Sequence, residues 1–381
     1  MSFCLPANRL SDSDGGREIC VLHFEIEAIS IKSNMKMLKS KVDQLRLIHG
    51  TVQLPCFIPC ATRGVLRGIS WDELSKIGYN MILVNAYYMY LFPGLETIKK
   101  LGGLHQFIGW QGAILCDSGG FQVFSLKPKI GDRGVRFKSH IDGSEHFFTP
   151  ELVWLSNEVL GADIAMPLDD CPPGEADKKR VEQAVNRTHN WLLRTINAKE
   201  KSPARKTEQI PKLFGIAQGG IYQDLREKSV KFVVDLYKRK MIDGIAIGGV
   251  AVGEQKANIR QVIRYVSKWL PKDAPKYLMG IGEPEDIIFA VRHGFNMFDC
   301  VLPTRMGRHG VAYQRQISKS KLQIPNIKYE KLDLRKSKFK TDKKWGYLSY
   351  LLRIGDMQGA RLASLENLRV YYSLMQKLRK K

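Results

Sequence analysis

The chain has 381 residues, 44% of them hydrophobic, with 60 Lys or Arg against 38 Asp or Glu and a formal net charge of +22. This length and apolar content are enough to bury a full core. No apolar run approaches the roughly 18 to 20 residues of a membrane span, which excludes a transmembrane protein and leads us to expect a soluble one.

Short apolar runs that end in a polar residue or in glycine alternate along the chain with stretches of helical periodicity. The runs are 56–59, 81–84, 113–115, 164–168, 213–217, 245–247, 277–279 and 295–298, and the helical stretches include 71–77, 150–160, 178–196, 223–237, 259–269 and 285–293. This order predicts an α/β fold, with eight strands closed into a (β/α)8 barrel whose polar strand ends face one mouth. A doubly wound open sheet is the alternative.

Two aspartates stand directly after such runs. Asp117 follows the run at 113–115, and Asp299 follows the run at 295–298. In parallel α/β enzymes the carboxyl ends of the strands carry the chemistry, and a carboxylate pair there suits nucleophilic and acid–base catalysis. Either aspartate alone is more typical of a cap on a βα turn. The recurrence of the same arrangement along the chain favours a catalytic pair.

The cysteines and the N-terminus bear on the compartment. Cys4, Cys20, Cys56, Cys60, Cys116, Cys171 and Cys300 show no paired framework, and no basic stretch is followed by an apolar segment and a cleavage site. We therefore expect a reducing, cytoplasmic location. Cys56 and Cys60 lie four residues apart in an apolar run without a nearby histidine, which favours core residues over metal ligands.

Much of the positive charge lies at the C-terminus, where residues 306–381 hold 19 Lys or Arg against 5 Asp or Glu, a net charge of +14. Several lysines there alternate with Phe339 and Trp345, a pattern that suits phosphate contacts and counterion release. For a charge run alone, a solvated basic tail is an equal alternative. Beside a barrel with carboxylates at its mouth, the run favours a nucleic-acid partner.

Five motifs resemble those of the bacterial-type tRNA-guanine transglycosylases, in the same order and at similar separations. They are D-S-G-G-F-Q at 117–122, S-H-I-D-G-S at 139–144, G-I-A-Q-G-G at 215–220, I-G-G-V-A-V-G-E at 247–254 and F-D-C-V-L-P-T-R at 298–305. The resemblance covers residues 24–377. It implies a modified TIM (β/α)8 barrel with a small basic C-terminal helical appendage. It also implies exchange of the wobble guanine of certain tRNAs for preQ1, a 7-deazaguanine precursor of queuosine.

The same resemblance implies a role for each aspartate. Replacement of one base by another at C1′ of a ribose that stays in the polymer calls for a retaining double displacement. Asp299 would be the nucleophile that holds the sugar covalently. Asp117 would be the general acid and base that assists the departing guanine and deprotonates the incoming base.

A flat purine-like ring needs hydrogen bonds at its edges and contacts on its two faces. The resemblance assigns the edges to Asp169, which would accept from the guanidine-like N–H groups, and to Gln218 and the N–H of Gly249, which would donate to the ring carbonyl. The remaining pocket residues are Phe121 and Met279 on the faces, Gly248 beside Gly249, and Cys171 in the wall. The target base must leave its stack to enter such a pocket.

Further positions in the resemblance concern specificity and RNA contacts. Val252 suits the small aminomethyl arm of preQ1, where eukaryotic relatives have glycine for queuine, and the carbonyl of Val250 would accept from the ammonium of that arm. Arg305 and Arg308 match positions that contact the uridines of a U-G-U sequence, although surface arginines on a βα loop are an alternative. The residues expected to contact the RNA backbone are Lys338, Lys340, Lys343 and Lys344.

The chain departs from the family pattern in three places. Residues 85–88 read Asn-Ala-Tyr-Tyr instead of Asn-Thr-Tyr-His, and residues 1–22 have no counterpart. The family's zinc motif, Cys-x-Cys-x-x-Cys with a later histidine, is replaced by K-S-K-F-K-T-D-K at 336–343 and by Glu366. We therefore expect no metal and no cofactor. The apolar residues expected to hold the C-terminal lobe instead are Trp345, Leu348, Leu351, Leu352, Leu362, Leu365, Leu368 and Tyr371.

The resulting prediction has a polar N-terminal extension at 1–22, a catalytic barrel at 23–310, and a basic segment at 311–381. This last segment would complete the barrel and bind RNA as a degenerate zinc subdomain. Expected partners are the tRNA anticodon loop, preQ1 and guanine, with no membrane; a homodimer is left open because the segment that supports it in the family has changed. Two alternatives remain: a non-catalytic tRNA-binding subunit, and a transglycosylase that inserts a deazapurine into DNA.

Overall fold

The structure, a computed structural model, describes residues 40–124, 126, 128–207, 209–250, 256–316 and 327–380, and only the backbone of Phe121, Lys206, Thr207 and Lys256. The predicted extension at 1–22 and the predicted specificity residue Val252 lie outside the described residues.

The strands are β1 (Gln44–Leu47), β2 (Gly50–Gln53), β3 (Cys56–Pro59), β4 (Met81–Asn85), β5 (Ala113–Asp117), β6 (Lys129–Gly131), β7 (Gly134–Lys138), β8 (Glu145–Phe148), β9 (Ile164–Ala165), β10 (Lys212–Ala217), β11 (Gly244–Ile247), β12 (Lys276–Leu278), β13 (Met297–Cys300), β14 (Val311–Arg315) and β15 (Tyr329–Asp333).

The helices are α1 (Trp71–Ile77), α2 (Ala86–Leu91), α3 (Leu95–Lys100), α4 (Leu104–Ile108), α5 (Gly120–Phe124), α6 (Pro150–Leu160), α7 (Lys178–Lys201), α8 (Gln223–Lys238), α9 (Lys256–Val266), α10 (Pro284–Arg292), α11 (Leu302–Arg308), α12 (Gly346–Arg353) and α13 (Met357–Arg379). Short 3-10 helices cover Pro203–Thr207 and Ser337–Phe339.

Eight parallel strands form a ring in the order β3-β13-β12-β11-β10-β9-β5-β4. A parallel bridge between Cys60 and Leu83 brings the first and last of these strands together, and the N–H of Ala61 donates to the carbonyl of Leu83 at 2.7 Å. The predicted modified TIM barrel is therefore confirmed, and the open-sheet alternative is wrong. Each of the eight predicted runs overlaps one strand of the barrel. The run at 164–168 pairs only through Ile164–Ala165, and Pro167 in that run lacks the N–H that a ladder needs.

The inside of the barrel is filled by apolar side chains from alternate strand positions. Ile58, Leu115 and Phe214 are fully buried there. The hairpin of β1 and β2, which the sequence analysis did not predict, adds Leu45 and Val52 to the same cluster and so covers the amino ends of the strands. The closed end is therefore packed, and only the carboxyl ends of the strands are left for a site.

The helices have local signals at their ends that match the predicted ranges. α1 begins with a capping box between Ser70 and Glu73, and α6 begins with Thr149 as N-cap and Pro150 in its first turn. Gly161 ends α6 in the left-handed region, with φ of 68°. Both helices have the bounds that the periodicity predicts. α7 runs five residues further than predicted, to Lys201.

Two additions interrupt or follow the barrel. An antiparallel sheet of β6, β7 and β8 lies between β5 and α6 in the chain, and it carries the S-H-I-D-G-S motif in its β7–β8 turn. The antiparallel pair β14–β15 and the helices α12 and α13 follow the barrel, and α13 packs against α11 and β3.

The C-terminal lobe has an apolar cluster of its own. Phe339, Trp345 and Leu348 pack with Ala312 and Leu334, and Leu352 and Leu362 adjoin them. Three further predicted residues, Leu365, Leu368 and Tyr371, belong to the main barrel core, and Leu351 is also buried. The predicted apolar packing of this lobe is confirmed. No helix among the described residues is long and apolar enough to cross a membrane.

Candidate active site

Polar side chains gather at the carboxyl ends of the barrel strands. Asn85 ends β4 and Asp117 ends β5, and the sheet register pairs these two residues directly. Asp299 is the third residue of β13, while Gln218 and Met279 follow β10 and β12 without a gap. Because all eight strands are parallel, these residues meet at one open end of the barrel, as the sequence predicts.

Asp117 is held by neighbours on both sides of its strand end. The side chain of Asn85 donates to Oδ2 of Asp117 at 2.8 Å and to Gln122 at 2.9 Å, and its own oxygen accepts from the N–H of Tyr87. Asn85 is itself buried. This chain of hydrogen bonds holds the Asp117 carboxyl in place at the end of β5.

Asp299 has an asymmetric environment. Its Oδ1 accepts from the hydroxyl of Tyr277 and from the N–H of Gly280, both at 2.7 Å. Its Oδ2 has one weak donor, the thiol of Cys60, at 3.5 Å. Oδ1 is therefore used in holding the carboxylate in place. Oδ2 is the oxygen available to a reacting atom.

The electrostatics of the two aspartates are linked. Burial and then the nearby Asp299 raise the pKa of Asp117 to about 6, although hydrogen bonds from Ser118, Asn85 and Gly119 oppose the rise. Burial also raises the pKa of Asp299, against the lowering effect of its bonds from Gly280 and Tyr277. Asp117 can therefore hold a proton near neutral pH, while the donors around Asp299 favour its ionised form.

A third carboxyl lies deeper in the same mouth. Asp169 is buried and accepts from the side-chain amide of Gln218 at 2.6 Å and from the hydroxyl of Ser118 at 3.3 Å. Burial and then Asp117 raise the pKa of Asp169 to about 7. The buried Oε1 of Gln218 has no hydrogen-bond partner in the part of the chain that the structure describes. The side-chain amide of Gln218 thus donates to Asp169, and its role toward a ring carbonyl stays a prediction.

Glycines make the close approach of these polar groups possible. A Cβ at Gly120 would lie 2.8 Å from Oδ1 of Asp169, and one at Gly248 would lie 2.7 Å from the amide nitrogen of Gln218. A Cβ at Gly249, which has φ of +58°, would lie 2.5 Å from Oε1 of Gln218. Any larger residue would displace Asp169 or Gln218, so the glycine-rich turns form the floor of the pocket.

The other predicted site residues occupy varied positions. Met279 is half-buried against the barrel interior, Cys171 is half-buried, and Val250 is buried. Arg305 is exposed, whereas Arg308 is half-buried with its pKa lowered by burial, by Arg67 and by Arg305. The four predicted RNA-binding lysines are all exposed: Lys338, Lys340, Lys343 and Lys344. The structure does not describe the side chain of Phe121.

The sequence analysis missed three residues of the site. Tyr277 lies inside an apolar strand and gives no sign of its hydroxyl's partner, although strand alternation relative to Met279 was a signal available to find it. Cys60 was read as a core residue, but it is half-buried beside Asp299. Arg226 lies on α8, is fully buried, and bonds to the carbonyls of the two glycine turns. Only the folded structure brings these groups together.

Comparisons with known proteins agree on one family. A family model described as queuine tRNA-ribosyltransferase matches residues 38–381. A queuine tRNA-ribosyltransferase of Herpetosiphon aurantiacus is 42% identical over 348 residues, which cover 90% of this chain and 85% of the relative. The chain belongs to the queuine tRNA-ribosyltransferase family. A relative of the same description in Dictyoglomus turgidum is 40% identical over 91% of this chain and 88% of its own length. Another, in Nitrosomonas europaea, is 42% identical over 88% of this chain and 89% of its own length.

Zinc, which the resemblance to the queuine tRNA-ribosyltransferase family implies, does not fit the residues of this C-terminal segment. Phe339 is buried in the apolar cluster described above. Asp342 accepts from the backbone N–H groups of Lys344 and Trp345, and Glu366 pairs with Arg369. Zinc in structural sites takes about four Cys or His ligands, and this segment offers neither.

Among the described residues, His49, His105 and Asp163 form the one group that could hold a metal ion, with ligand atoms within 4.8 Å of one another. It lies at the amino end of β9, opposite the active site. The two imidazole rings stack 3.6 Å apart with 19° between their planes, so an ion in the plane of one ring is far outside the plane of the other. Asp163 instead accepts from the N–H groups of His49 and Ile114, which ties the β1–β2 turn to the barrel.

Proposed function

We propose that this chain is a tRNA-guanine transglycosylase that exchanges the wobble guanine of tRNAs with a U-G-U anticodon context for preQ1, by a covalent double displacement in queuosine biosynthesis. The observation that carries the proposal is the pair of unequal carboxyls at one barrel mouth. Asp299 has one oxygen held by Tyr277 and Gly280 and the other available, and Asp117 has its pKa raised to about 6.

In the first displacement, Oδ2 of Asp299 attacks C1′ of the ribose while the bond from C1′ to the guanine nitrogen breaks. Protonated Asp117 gives its proton to the departing guanine. In the second displacement, the incoming preQ1 gives its ring N–H proton to Asp117, and the freed nitrogen attacks C1′. The ester bond between C1′ and Asp299 breaks as this nitrogen bonds to C1′, which frees the carboxylate. Two inversions at C1′ retain the configuration of the nucleoside.

The environments of the two carboxyls suit these tasks. A group with a pKa of about 6 both donates and accepts a proton near neutral pH, which is what the two half-reactions require of Asp117. The attacking group must be ionised, and the bonds from Tyr277 and Gly280 stabilise the ionised form of Asp299. Asp169, which accepts from Gln218 at the same barrel mouth, would accept from the N–H edge of a base extruded from the RNA.

The choice of preQ1 over queuine rests on the resemblance at Val252. The proposal gives Val250 the contact to the aminomethyl arm, Phe121 and Met279 the faces of the base, and Cys171 a place in the wall. Arg305 and Arg308 would contact the flanking uridines, and residues 311–381 would complete the barrel and bind the RNA backbone. Packing of α13 on β3 supports a C-terminal segment that completes the barrel. The catalytic barrel is proposed to span residues 23–310.

The proposal includes a homodimer and a cytoplasmic location. A homodimer is supported by large apolar side chains exposed together on α12, its C-terminal turn and the start of α13: Tyr347 at 70%, Tyr350 at 57%, Ile354 at 57% and Met357 at 88%. A reducing compartment is supported by free Cys60 and Cys300 on either side of Asp299. Light scattering of the wild-type protein and of Tyr350→Glu tests the dimer, since the variant should be monomeric.

Incorporation of labelled guanine and labelled preQ1 tests the function, with a U-G-U stem-loop, a U-A-U stem-loop and duplex DNA as acceptors. We expect labelling of the U-G-U RNA alone, and unlabelled preQ1 should displace labelled guanine that has been incorporated. Labelling of the DNA would favour the DNA-modifying alternative. Tight binding of tRNA with no exchange of either base would favour a non-catalytic subunit.

A further inference from the structure

Arg226 is the one fully buried arginine among the described residues, and it bonds to the backbone of two barrel loops at once. It lies in the first turn of α8. Its Nε donates to the carbonyl of Gly220 at 2.8 Å, and its Nη1 donates to Ala217 at 3.1 Å and to Gly248 at 2.7 Å. Its Nη2 donates to Gly249 at 2.5 Å.

These four acceptors belong to the two turns that line the base pocket. Ala217 ends β10 and directly precedes Gln218, Gly220 lies two residues beyond Gln218, and Gly248 and Gly249 follow β11. The planar guanidinium has five N–H donors in a fixed fork, so it can set the relative position of both turns. A lysine has three donors on one atom and cannot span the same carbonyls.

The direction of the carbonyls decides the direction of the N–H groups. In a trans peptide the C=O and the following N–H point in opposite directions. Because the carbonyl of Gly248 points at Arg226, the N–H of Gly249 points away from Arg226. Gln218 lies close to both glycines, since a Cβ on either one would meet its side-chain amide. This N–H has no acceptor among the described residues, which makes it a donor available to a bound molecule.

We infer that Arg226 is a positioning residue that holds the Gly248–Gly249 peptide with its N–H directed into the pocket, and that it thereby sets recognition of the ring carbonyl of the base. The inference rests on the proposed function and deepens it. Arg226 would act through the carbonyls that it holds and not through a contact of its own to the base or the ribose. Its effect is confined to how well the enzyme distinguishes a base with the carbonyl from one without it.

The test compares guanine with 6-thioguanine, which keeps the ring N–H and the amino group but has sulfur, a weaker acceptor, in place of the carbonyl oxygen, as inhibitors of preQ1 incorporation into a U-G-U stem-loop. The wild-type protein should bind guanine at least about tenfold more tightly, the effect of one hydrogen bond to a buried donor. In Arg226→Lys this preference should fall to about twofold or less. The KM for preQ1 should rise about tenfold or more, while kcat and the Kd for RNA should change by less than threefold.

Lys228→Met is the matched control, because Lys228 lies on the same helix and donates to Asn186 at the surface. It should keep the wild-type preference. Rates are to be divided by the fraction of enzyme that forms a trapped RNA adduct, so that partial unfolding does not change the result. An Arg226→Lys enzyme with the full preference for guanine would overturn the inference, as would a parallel loss of affinity for both bases.

Arg226→Gln is the second variant, and failure of both variants to fold would also overturn the inference, because Arg226 would then serve the barrel and not the pocket. Absence of exchange in the wild-type protein would refute the proposed function itself, a result distinct from all of these.

Discussion

Removal of the Tyr277 hydroxyl should impair the attack by Asp299 without disturbing the fold. Tyr277→Phe keeps the ring in the barrel interior and deletes the 2.7 Å bond to Oδ1, while the Gly280 N–H bond to the same oxygen remains. A hydrogen bond to an ionised group contributes about 1.5 to 3 kcal/mol. Because the bond stabilises the ionised form, its loss should raise the pKa of Asp299 further and let the carboxylate turn.

The expected result is a fall of about tenfold to hundredfold in the rate of adduct formation with a U-G-U stem-loop at neutral pH. The attacking group must be ionised, so the acid limb of the pH–rate profile should move to higher pH by about one unit, since one pKa unit corresponds to about 1.4 kcal/mol. Single-turnover trapping between pH 5 and 9 measures both effects.

The matched control is Tyr79→Phe. Tyr79 is also buried and donates its hydroxyl to a backbone carbonyl, that of Leu368 at 2.9 Å, but it lies beside α13 away from the mouth. It should lower the melting temperature by an amount similar to that of Tyr277→Phe and leave the pH profile unchanged. If Tyr277→Phe keeps the wild-type acid limb and a rate within twofold, Oδ1 is not held in the way described.

Three further predictions follow from the same contacts. Asp117→Asn should slow exchange roughly 10² to 10⁴-fold. In the wild-type protein the rate of adduct formation should fall as the pH rises through about 6, where Asp117 loses its proton, and this fall should be absent in the variant. If the variant shows the same fall, a group other than Asp117 is the general acid. Reversal of the exposed Lys338, Lys340, Lys343 and Lys344 to glutamate should weaken RNA binding and flatten the plot of log K against log salt. Glutamate at Lys201, Lys238 and Lys240, near the closed end of the barrel, is the control and should have little effect on the slope of log K against log salt. If both sets of lysine variants give the same slope, the four C-terminal lysines do not contact the RNA. Purified, tag-free protein should contain no stoichiometric zinc, and EDTA should leave its melting temperature unchanged because Phe339 and Trp345 belong to an apolar cluster that holds this segment. A large fall with EDTA would contradict this.

The barrel was predictable because its strands are short, buried and bounded by polar or glycine residues, a pattern that repeats regardless of tertiary contacts. Residues 81–84 and 213–217 each lie within a strand of the ring. The inserted sheet of β6 to β8 was not predictable from the same pattern, because its strands mix exposed and buried residues over only three to five positions. Such strands are stabilised by their partners, which the sequence of one segment does not reveal.

The site divides in a similar way. Asp117 and Asp299 were identifiable because each stands at a strand end with its own motif. The bond from Tyr277 to Asp299 joins neighbouring strands 22 residues apart in the chain, and the bonds of Arg226 join two loops. Periodicity within one segment carries no information about such contacts. They depend on sheet register and on the direction of individual carbonyls, which exist only in the folded chain.

The central claim is that Asp299 forms a covalent bond to the ribose of the RNA. Its most direct test is a denaturing gel of wild-type protein, Asp299→Asn and Asp117→Asn after incubation with a labelled U-G-U stem-loop. We predict a denaturation-resistant complex with the wild-type protein and none with Asp299→Asn, because an amide cannot act as the attacking carboxylate. A resistant complex of normal yield with Asp299→Asn would contradict the account.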